Sequence, residues 1–174
     1  MELNQLIRLA YSAERAAAFA YQGHAGSVSN VTEKEEIKKI ENQEWEHRSN
    51  LLRFMSKLSI KPSIWYEMKF YIIGKVICFS CYVIGWFMPM YFAGRLESNN
   101  VNEYILMGEL ANNTKINDEL QCIEQMAIVE KQHEMYFLNK VANHKALPLF
   151  QKVFSWGVGY SYNKMSTKEV NSLE

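Results

Sequence analysis

Apolar residues recur every three to four positions through most of the chain, a spacing that predicts helices with one buried face. Only three Pro and eight Gly occur among the 174 residues, so few positions interrupt this pattern. We therefore expect an all-α protein, a single domain over residues 1–174, built as a four-helix bundle with two additional apolar helices. The core helices are predicted at about 3–21, 32–58, 88–112 and 117–142, and the accessory helices at about 63–85 and 149–165.

The predicted helix boundaries rest on glycine, proline and capping residues. Residues 22–27 include two glycines and should end the first helix. Thr32 is the expected N-cap of the second helix, with a capping-box glutamate three residues later. A break near residues 86–89, which end in proline, should separate the third helix from the fourth. His24 and His144 fall in predicted loops, so we expect both at the surface.

One four-residue pattern, Glu-x-x-His, occurs twice, at Glu44 to His47 and at Glu130 to His133. Residues three apart share a helix face, so each copy directs a carboxylate and an imidazole toward one point. Both copies lie on the apolar side of their predicted helices. Burying a carboxylate is costly unless it is paired or binds a metal, so we expect a cation between these helices.

Two further glutamates, Glu14 and Glu97, lie on the apolar faces of the first and fourth helices. The resulting order is Glu, Glu-x-x-His, Glu, Glu-x-x-His, which is that of di-iron carboxylate sites in four-helix bundles. Four carboxylates balance two divalent cations, and oxygen with nitrogen ligands suits iron or manganese. Glu97 and either motif glutamate are expected to bridge the two ions. The candidate metal ligands are Glu14, Glu44, His47, Glu97, Glu130 and His133.

Tyr104 is the candidate catalytic residue. It lies seven residues after Glu97 and therefore on the same face of the predicted helix. Two interpretations stay open for this side chain. It is either an ordinary tyrosine of the core, or it lines the path that a substrate or electrons take to the metal site.

Residues 76–94 form a run of 19 residues without a charge, close to the roughly 20 that span a bilayer. Gly85 and Pro89 interrupt the run, and Glu97 follows it closely, which argues against a simple span. The remaining interpretations are a buried bundle core and an apolar surface that enters one leaflet of a membrane. The aromatic sixth helix should pack on the bundle or contact lipid.

Composition and charge limit the classes of binding partner that we expect. Lys plus Arg and Asp plus Glu both number 19, so the formal net charge is zero, and we expect no nucleic-acid partner. Three cysteines form no disulfide framework, which indicates a reducing compartment. Residues 1–5 have neither a basic nor an apolar segment, so we expect no secretory signal peptide.

From about residue 10 to residue 165, the chain resembles the demethoxyubiquinone hydroxylase family of the ferritin-like superfamily. The family often has His at position 103 and an acid at position 132, where this chain has Glu and Gln. The residues that carry the resemblance are Glu14 in Ala-Glu-Arg-Ala-Ala-Ala, Glu44-Trp-Glu-His47 before Leu51-Leu52, Lys61-Pro62, the apolar run that leads to Glu97, Tyr104, and Glu130-Lys-Gln-His133.

The resemblance implies a di-iron, flavin-independent monooxygenase in which the six candidate ligands hold two iron ions. The enzyme would use dioxygen, with electrons ultimately from NADH, to hydroxylate the ring of a polyprenylated benzoquinone late in ubiquinone biosynthesis. It would be a peripheral membrane protein, on the cytoplasmic face of a bacterial inner membrane or on the matrix face of a mitochondrial one. A homo-oligomer or a biosynthetic complex is expected.

Three alternatives stay open. A ferritin-like oxygenase could act on another substrate, such as a modified tRNA base or a lipid, although the zero net charge argues against tRNA. A non-catalytic bundle could bind iron or scavenge peroxide. A membrane-associated structural bundle would bind no metal.

Overall fold

A computed structural model describes residues 2–112 and 117–158, and all regular secondary structure in this part of the chain is helical. The prediction of an all-α protein is therefore confirmed. Six helices follow one another in the described residues: α1 (Leu3–Ser27), α2 (Val31–Lys57), α3 (Ile64–Ser80), α4 (Phe87–Ala111), α5 (Asn117–Val141) and α6 (Leu147–Phe154).

The helices form two groups that meet in the middle of the bundle. α1 packs along α2 and α3, and α4 packs along α5, whereas α1 with α4 and α2 with α5 contact each other over shorter stretches. α6 lies against α4, where the Tyr91 hydroxyl lies within hydrogen-bond distance of the carbonyl oxygens of Phe150 and Trp156, at 3.0 and 2.8 Å. The boundary between the two groups therefore runs through the centre of the molecule.

Two separate apolar clusters occupy the two ends of the bundle. The first includes Tyr21, Ile37, Tyr91, Phe137 and Trp156, and the second includes Leu6, Leu51, Tyr104, Met107 and Ile123. Each of the four long core helices contributes to both clusters. The midpoint of each of these helices therefore lies between the clusters, and this is where the six candidate ligands fall.

α1 extends further than its sequence indicates. It continues to Ser27, so the break predicted at residues 22–27 is wrong. A Cβ at Gly23 would lie 2.2 Å from the Cys78 carbonyl oxygen, so this glycine allows the backbones of α1 and α3 to approach. As a result His24 lies inside a helix and is only 2% exposed, contrary to the predicted surface position. His144 is exposed, as predicted.

Asn30, not Thr32, is the N-cap of α2. The Asn30 side chain accepts a hydrogen bond from the backbone amide of Glu33 at 3.0 Å. Asparagine satisfies the free amides of a first helical turn at least as well as threonine does. The helix therefore begins at Val31, one residue earlier than the predicted helix.

The apolar run at residues 76–94 is divided between two helices. α3 ends at Ser80, and α4 begins at Phe87 with Pro89 in its first turn, where a missing amide hydrogen costs little. Val83 is 82% exposed, whereas Met90 is fully buried. The first half of the run is thus a surface, and only the second half is bundle core. Among the described residues, no helix combines the length and the apolar character needed to cross a membrane.

α6 is shorter than predicted within the described residues. It ends at Phe154, and Ser155 follows in a left-handed conformation. Trp156 is buried, as expected of a segment that packs on the bundle, and Val158 is exposed. The rest of the predicted sixth helix, residues 159–165, lies outside the described residues.

Candidate metal centre

All six predicted ligands are buried, each with at most 4% of its surface exposed. They converge as two overlapping groups, and within each group one ligand atom per residue lies within 4.8 Å of all the others. Two atoms that bind one ion at about 2.0–2.4 Å are at most about 4.8 Å apart. The first group is Glu14, Glu44, His47 and Glu130, and the second is Glu44, Glu97, Glu130 and His133.

The two groups share Glu44 and Glu130, the glutamates of the two Glu-x-x-His motifs. Glu97 belongs to one group only. This arrangement differs from the expectation that Glu97 bridges, because the motif glutamates are the ones that reach both groups. α2 and α5 supply these two residues from opposite helix groups, so the shared carboxylates lie where the two halves of the bundle meet.

The ligand atoms face one another without forming hydrogen bonds. Nδ1 of His47 lies 2.9 Å from Glu130 Oε1, and Nδ1 of His133 lies 3.4 Å from Glu44 Oε1. Both imidazole atoms, and all four carboxylate oxygens of Glu44 and Glu130, are buried without a hydrogen-bond partner among the described residues. Oε2 of Glu14 is buried in the same way. Such orphaned groups are expensive, and they become ligands when cations lie between them.

Burial and mutual repulsion perturb the pKa values of the carboxyl groups. The pKa values of Glu14, Glu44 and Glu97 are raised well above the usual range, first by burial and then by the charge of Glu130 or of one another. The protein chain alone therefore favours the neutral form of these three acids. A cation would favour the ionised form and displace their protons.

Glu130 behaves in the opposite way. Burial acts to raise its pKa, but the close approach of the Glu97 carboxyl group and of the His133 and His47 imidazoles outweighs burial, and the net shift is downward. For His47, burial lowers the pKa, but Glu130 and Glu14 outweigh it, and the net shift is upward. In the protein alone, these pKa shifts favour an ionised Glu130 and a protonated His47.

Two tyrosines support the outer carboxylates in a crosswise pattern. α1 carries Glu14 and, seven residues later, Tyr21, and α4 carries Glu97 and, seven residues later, Tyr104. The Tyr21 hydroxyl donates a hydrogen bond to Glu97, and the Tyr104 hydroxyl donates one to Glu14. The Asn100 side chain donates a further hydrogen bond to Glu97 at 3.1 Å. Each tyrosine thus orients the carboxylate of the facing helix.

A glutamine orients one imidazole. The side-chain oxygen of Gln43 lies 2.9 Å from His133 Nε2, which leaves His133 Nδ1 directed at the carboxylates. Hydrogen bonds of this kind fix the tautomer and the ring plane of a metal-binding histidine. Sequence spacing did not identify Gln43, because it lies on α2 while the residue it supports lies on α5.

No family model, no curated protein and no solved structure matches this chain. The resemblance described above therefore rests on the motif residues alone. The geometry itself supports a coarser conclusion: a buried cluster of carboxylates and imidazoles lies within the distances that a metal ion requires. The donor set contains oxygen and nitrogen but no thiolate, which favours iron or manganese over metals that prefer sulfur.

Proposed function

We propose that the protein is a ferritin-like di-iron monooxygenase that hydroxylates the ring of demethoxyubiquinone, a polyprenylated benzoquinone, in ubiquinone biosynthesis. The observation that carries the proposal is the convergence of both Glu-x-x-His motifs with Glu14 and Glu97 in a buried cluster whose central donor atoms have no other partner. The motif resemblance supplies the substrate class.

The residues divide naturally between two ions. Glu14 with His47 would hold one ion and Glu97 with His133 the other, while the motif glutamates are shared. Four carboxylates cancel the four positive charges of two ferrous ions, which makes such a buried centre tolerable. When bound, the iron pair supplies the electrons that activate dioxygen, and NADH is the proposed ultimate source of those electrons without a flavin.

The surrounding side chains orient the ligands of the centre. Tyr21 and Tyr104 hold the outer carboxylates, and Gln43 holds an imidazole. The apolar clusters above and below cover the two ends of the centre. Tyr104 is fully enclosed at 2% exposure and its ring centroid lies 6.0 Å from that of His47. This position suits a residue that a bound ring would contact.

The surface of α3 supports a membrane location. Trp65, Met68, Ile72, Val76 and Phe79 fall three or four residues apart, and each is more than half exposed. An apolar stripe of this length is unusual on a monomer facing water. A polyprenylated quinone resides in the bilayer, so we propose that this face rests on the membrane as a peripheral contact.

Metal analysis and quinone profiling together test the proposed function. We expect about two iron ions per chain, as the shared-ligand geometry allows, and cells lacking the protein should accumulate a demethoxy quinone. Two iron ions with a normal quinone pool would favour another substrate or an iron-storing or peroxide-scavenging role. A chain that binds no metal would be a structural bundle, and the proposal would be wrong.

A further inference from the structure

In the described part of the chain, pockets approach the centre from three sides. The one between α1 and α4 touches Glu14 and Tyr104, but its volume is only about 30 Å³. That space holds a water molecule and is far too small for a substituted quinone ring.

The pocket between α2 and α5 reaches His47 and has a volume of about 450 Å³. Its size suits a small molecule, but about half of its lining surface is polar. Several amide and charged side chains contribute to the wall, among them Gln43, Glu46, Asn50, Arg53, Gln121 and Gln125. An isoprenoid chain would gain less there than in an aliphatic pocket, because it would displace water from polar groups that it cannot hydrogen-bond.

The pocket between α4 and α5 has a volume of about 580 Å³, within the range of roughly 300–1,000 Å³ typical of small-molecule sites. Tyr104 lines this pocket, and its hydroxyl donates a hydrogen bond to the candidate ligand Glu14. Aliphatic side chains supply most of the remaining wall, namely Val101, Ile105, Leu120, Ala127 and Ile128.

Gly108 also lines this pocket, and the packing of the described residues does not require a glycine there. A Cβ at position 108 would meet Leu120 and Ile123 at 3.7 and 3.9 Å, which are ordinary contacts. By contrast, a Cβ at Gly94 on the same helix would lie 2.3 Å from Trp156. Glycine inside a helix is less favourable than alanine. Among the described residues, no close contact therefore requires a glycine at position 108, and a larger side chain there would extend into the space between α4 and α5.

We propose that the α4–α5 pocket binds the ring and the first isoprene units of the quinone, with Tyr104 as the wall between the ring and the carboxylates. The identity of the ligand rests on the proposed function. The choice of pocket rests on its lining, on its size and on Gly108, which no close contact among the described residues requires. The aliphatic wall suits an isoprenoid chain, and the Tyr104 ring offers a flat partner for a quinone.

Photo-crosslinking tests the location directly. The probe is an azido-1,4-benzoquinone with one isoprene unit, added to the iron-loaded full chain without dioxygen, and mass spectrometry maps the adducts. We expect adducts on pocket-facing residues of α4 and α5, around Tyr104, Gly108 and Ala127. Adducts concentrated in the α2–α5 pocket, around Gln43 and Gln121, would overturn the assignment.

Binding measurements on variants provide the second test. Gly108→Leu and Ala127→Leu should each weaken binding of the isoprenyl benzoquinone more than tenfold, because they fill the pocket. Gln125→Leu is the matched control, since it adds a leucine to the same helix but faces the α2–α5 pocket, and it should change affinity less than twofold. Gly108→Ala should remain folded and weaken binding by a smaller factor.

The outcomes separate this inference from the proposed function. If filling the pocket leaves binding unchanged while the iron-loaded protein still hydroxylates the quinone, the pocket assignment is wrong and the function stands. If the filled variants lose binding but the unmodified protein hydroxylates no quinone, the pocket stands and the proposed function is wrong.

Discussion

The candidate metal centre and the face of α3 depart in opposite ways from the usual distribution of side chains. In most folded proteins charged side chains are exposed and apolar side chains are buried. Glu44, Glu97 and Glu130 are acids with no exposed surface, whereas Trp65 and Phe79 are large apolar residues with more than 70% of their surface exposed. Buried charge and exposed apolar area are the informative departures in a folded protein. At each place, a binding partner from outside the chain would stabilise the exposed or buried side chains.

The two regions differ in how specifically they define the partner that would bind to them. The centre has ligand atoms within 4.8 Å of one another, and their charge and chemistry are compatible with small cations. The α3 face presents a broad stripe with no directed polar group, so it requires only an apolar surrounding. Changes at the centre should therefore be severe and specific, and changes on α3 should be graded.

The largest expected effect comes from Glu97→Gln. The substitution removes one negative charge and one ligand oxygen but keeps the side-chain shape. Tyr21 and Asn100 each donate to a different oxygen of Glu97, so the single oxygen of Gln can replace only one of these two acceptors. We expect quinone hydroxylation to fall about a hundredfold to a thousandfold, comparable to other losses of a catalytic electrostatic group. Iron binding should weaken while circular dichroism still reports a helical protein.

The matched control for this variant is Glu41→Gln. Glu41 is also a buried glutamate, but its carboxylate is paired with Lys38 at 2.7 Å and lies outside both ligand groups. Iron content and turnover should therefore be retained in this control. Full activity in Glu97→Gln would contradict the ligand assignment and would remove the contrast between the two regions.

Metal removal should give the next largest effect, on stability. Iron at about one hundred times its dissociation constant stabilises the folded state by about 2.7 kcal/mol, which for a chain of this size raises Tm by roughly 5–10 °C. Chelation should reverse the increase, as measured by differential scanning calorimetry. Equal Tm values with and without iron would show that the buried acids do not bind it.

The α3 face should produce a smaller and additive effect. Trp65→Gln and Phe79→Gln each remove an exposed apolar side chain that contributes on the order of 1 kcal/mol to partitioning, so together they should reduce vesicle binding at least about tenfold. Flotation with phosphatidylethanolamine and phosphatidylglycerol vesicles measures this. Val31→Gln, on α2 and 68% exposed, is the control and should not change flotation.

Sequence spacing was sufficient to predict which side chains converge at the helix midpoints. Glu44 and His47 lie on one face because they are three residues apart, and the same holds for Glu130 and His133. Apolar periodicity places both faces inward, so the all-α fold and the convergence of the six side chains follow from local pattern. Contacts within one helix face are what a sequence encodes most directly.

Contacts between helices were less accessible to sequence analysis. Tyr21 lies on the same stripe as Glu14, but its hydrogen bond to Glu97 depends on how α1 faces α4. Gly23 looked like a helix break because its tight contact with α3 involves a segment more than 50 residues away. His24 was placed in a loop for the same reason. These features depend on tertiary packing, which short-range patterns do not specify.

His24 shows a third way to accommodate a buried polar group, and it gives the smallest expected effect. Its ring stacks on Phe137 with centroids 5.8 Å apart. Burial lowers the pKa of His24 to about 4, against a weaker opposing effect of the Glu33 charge. The side chain is therefore neutral at pH 7, whereas the proposed centre would be neutralised by cations and Glu41 is paired with a lysine.

Because the unfolded chain takes up this proton near pH 6.5 and the folded chain only near pH 4, acid favours unfolding. Stability attributable to His24 is fully present above pH 6.5, decreases as the pH falls, and is lost below pH 4, by about 1–3 kcal/mol. His24→Phe keeps the aromatic contact and removes the proton site. The free energy of unfolding, measured with urea between pH 7 and pH 4, should therefore decrease more for the wild type than for His24→Phe. If the unfolding free energies of the two proteins changed in parallel with pH, His24 would be charged or solvated in the folded state. Unpartnered burial of polar side chains would then be confined to the candidate metal centre.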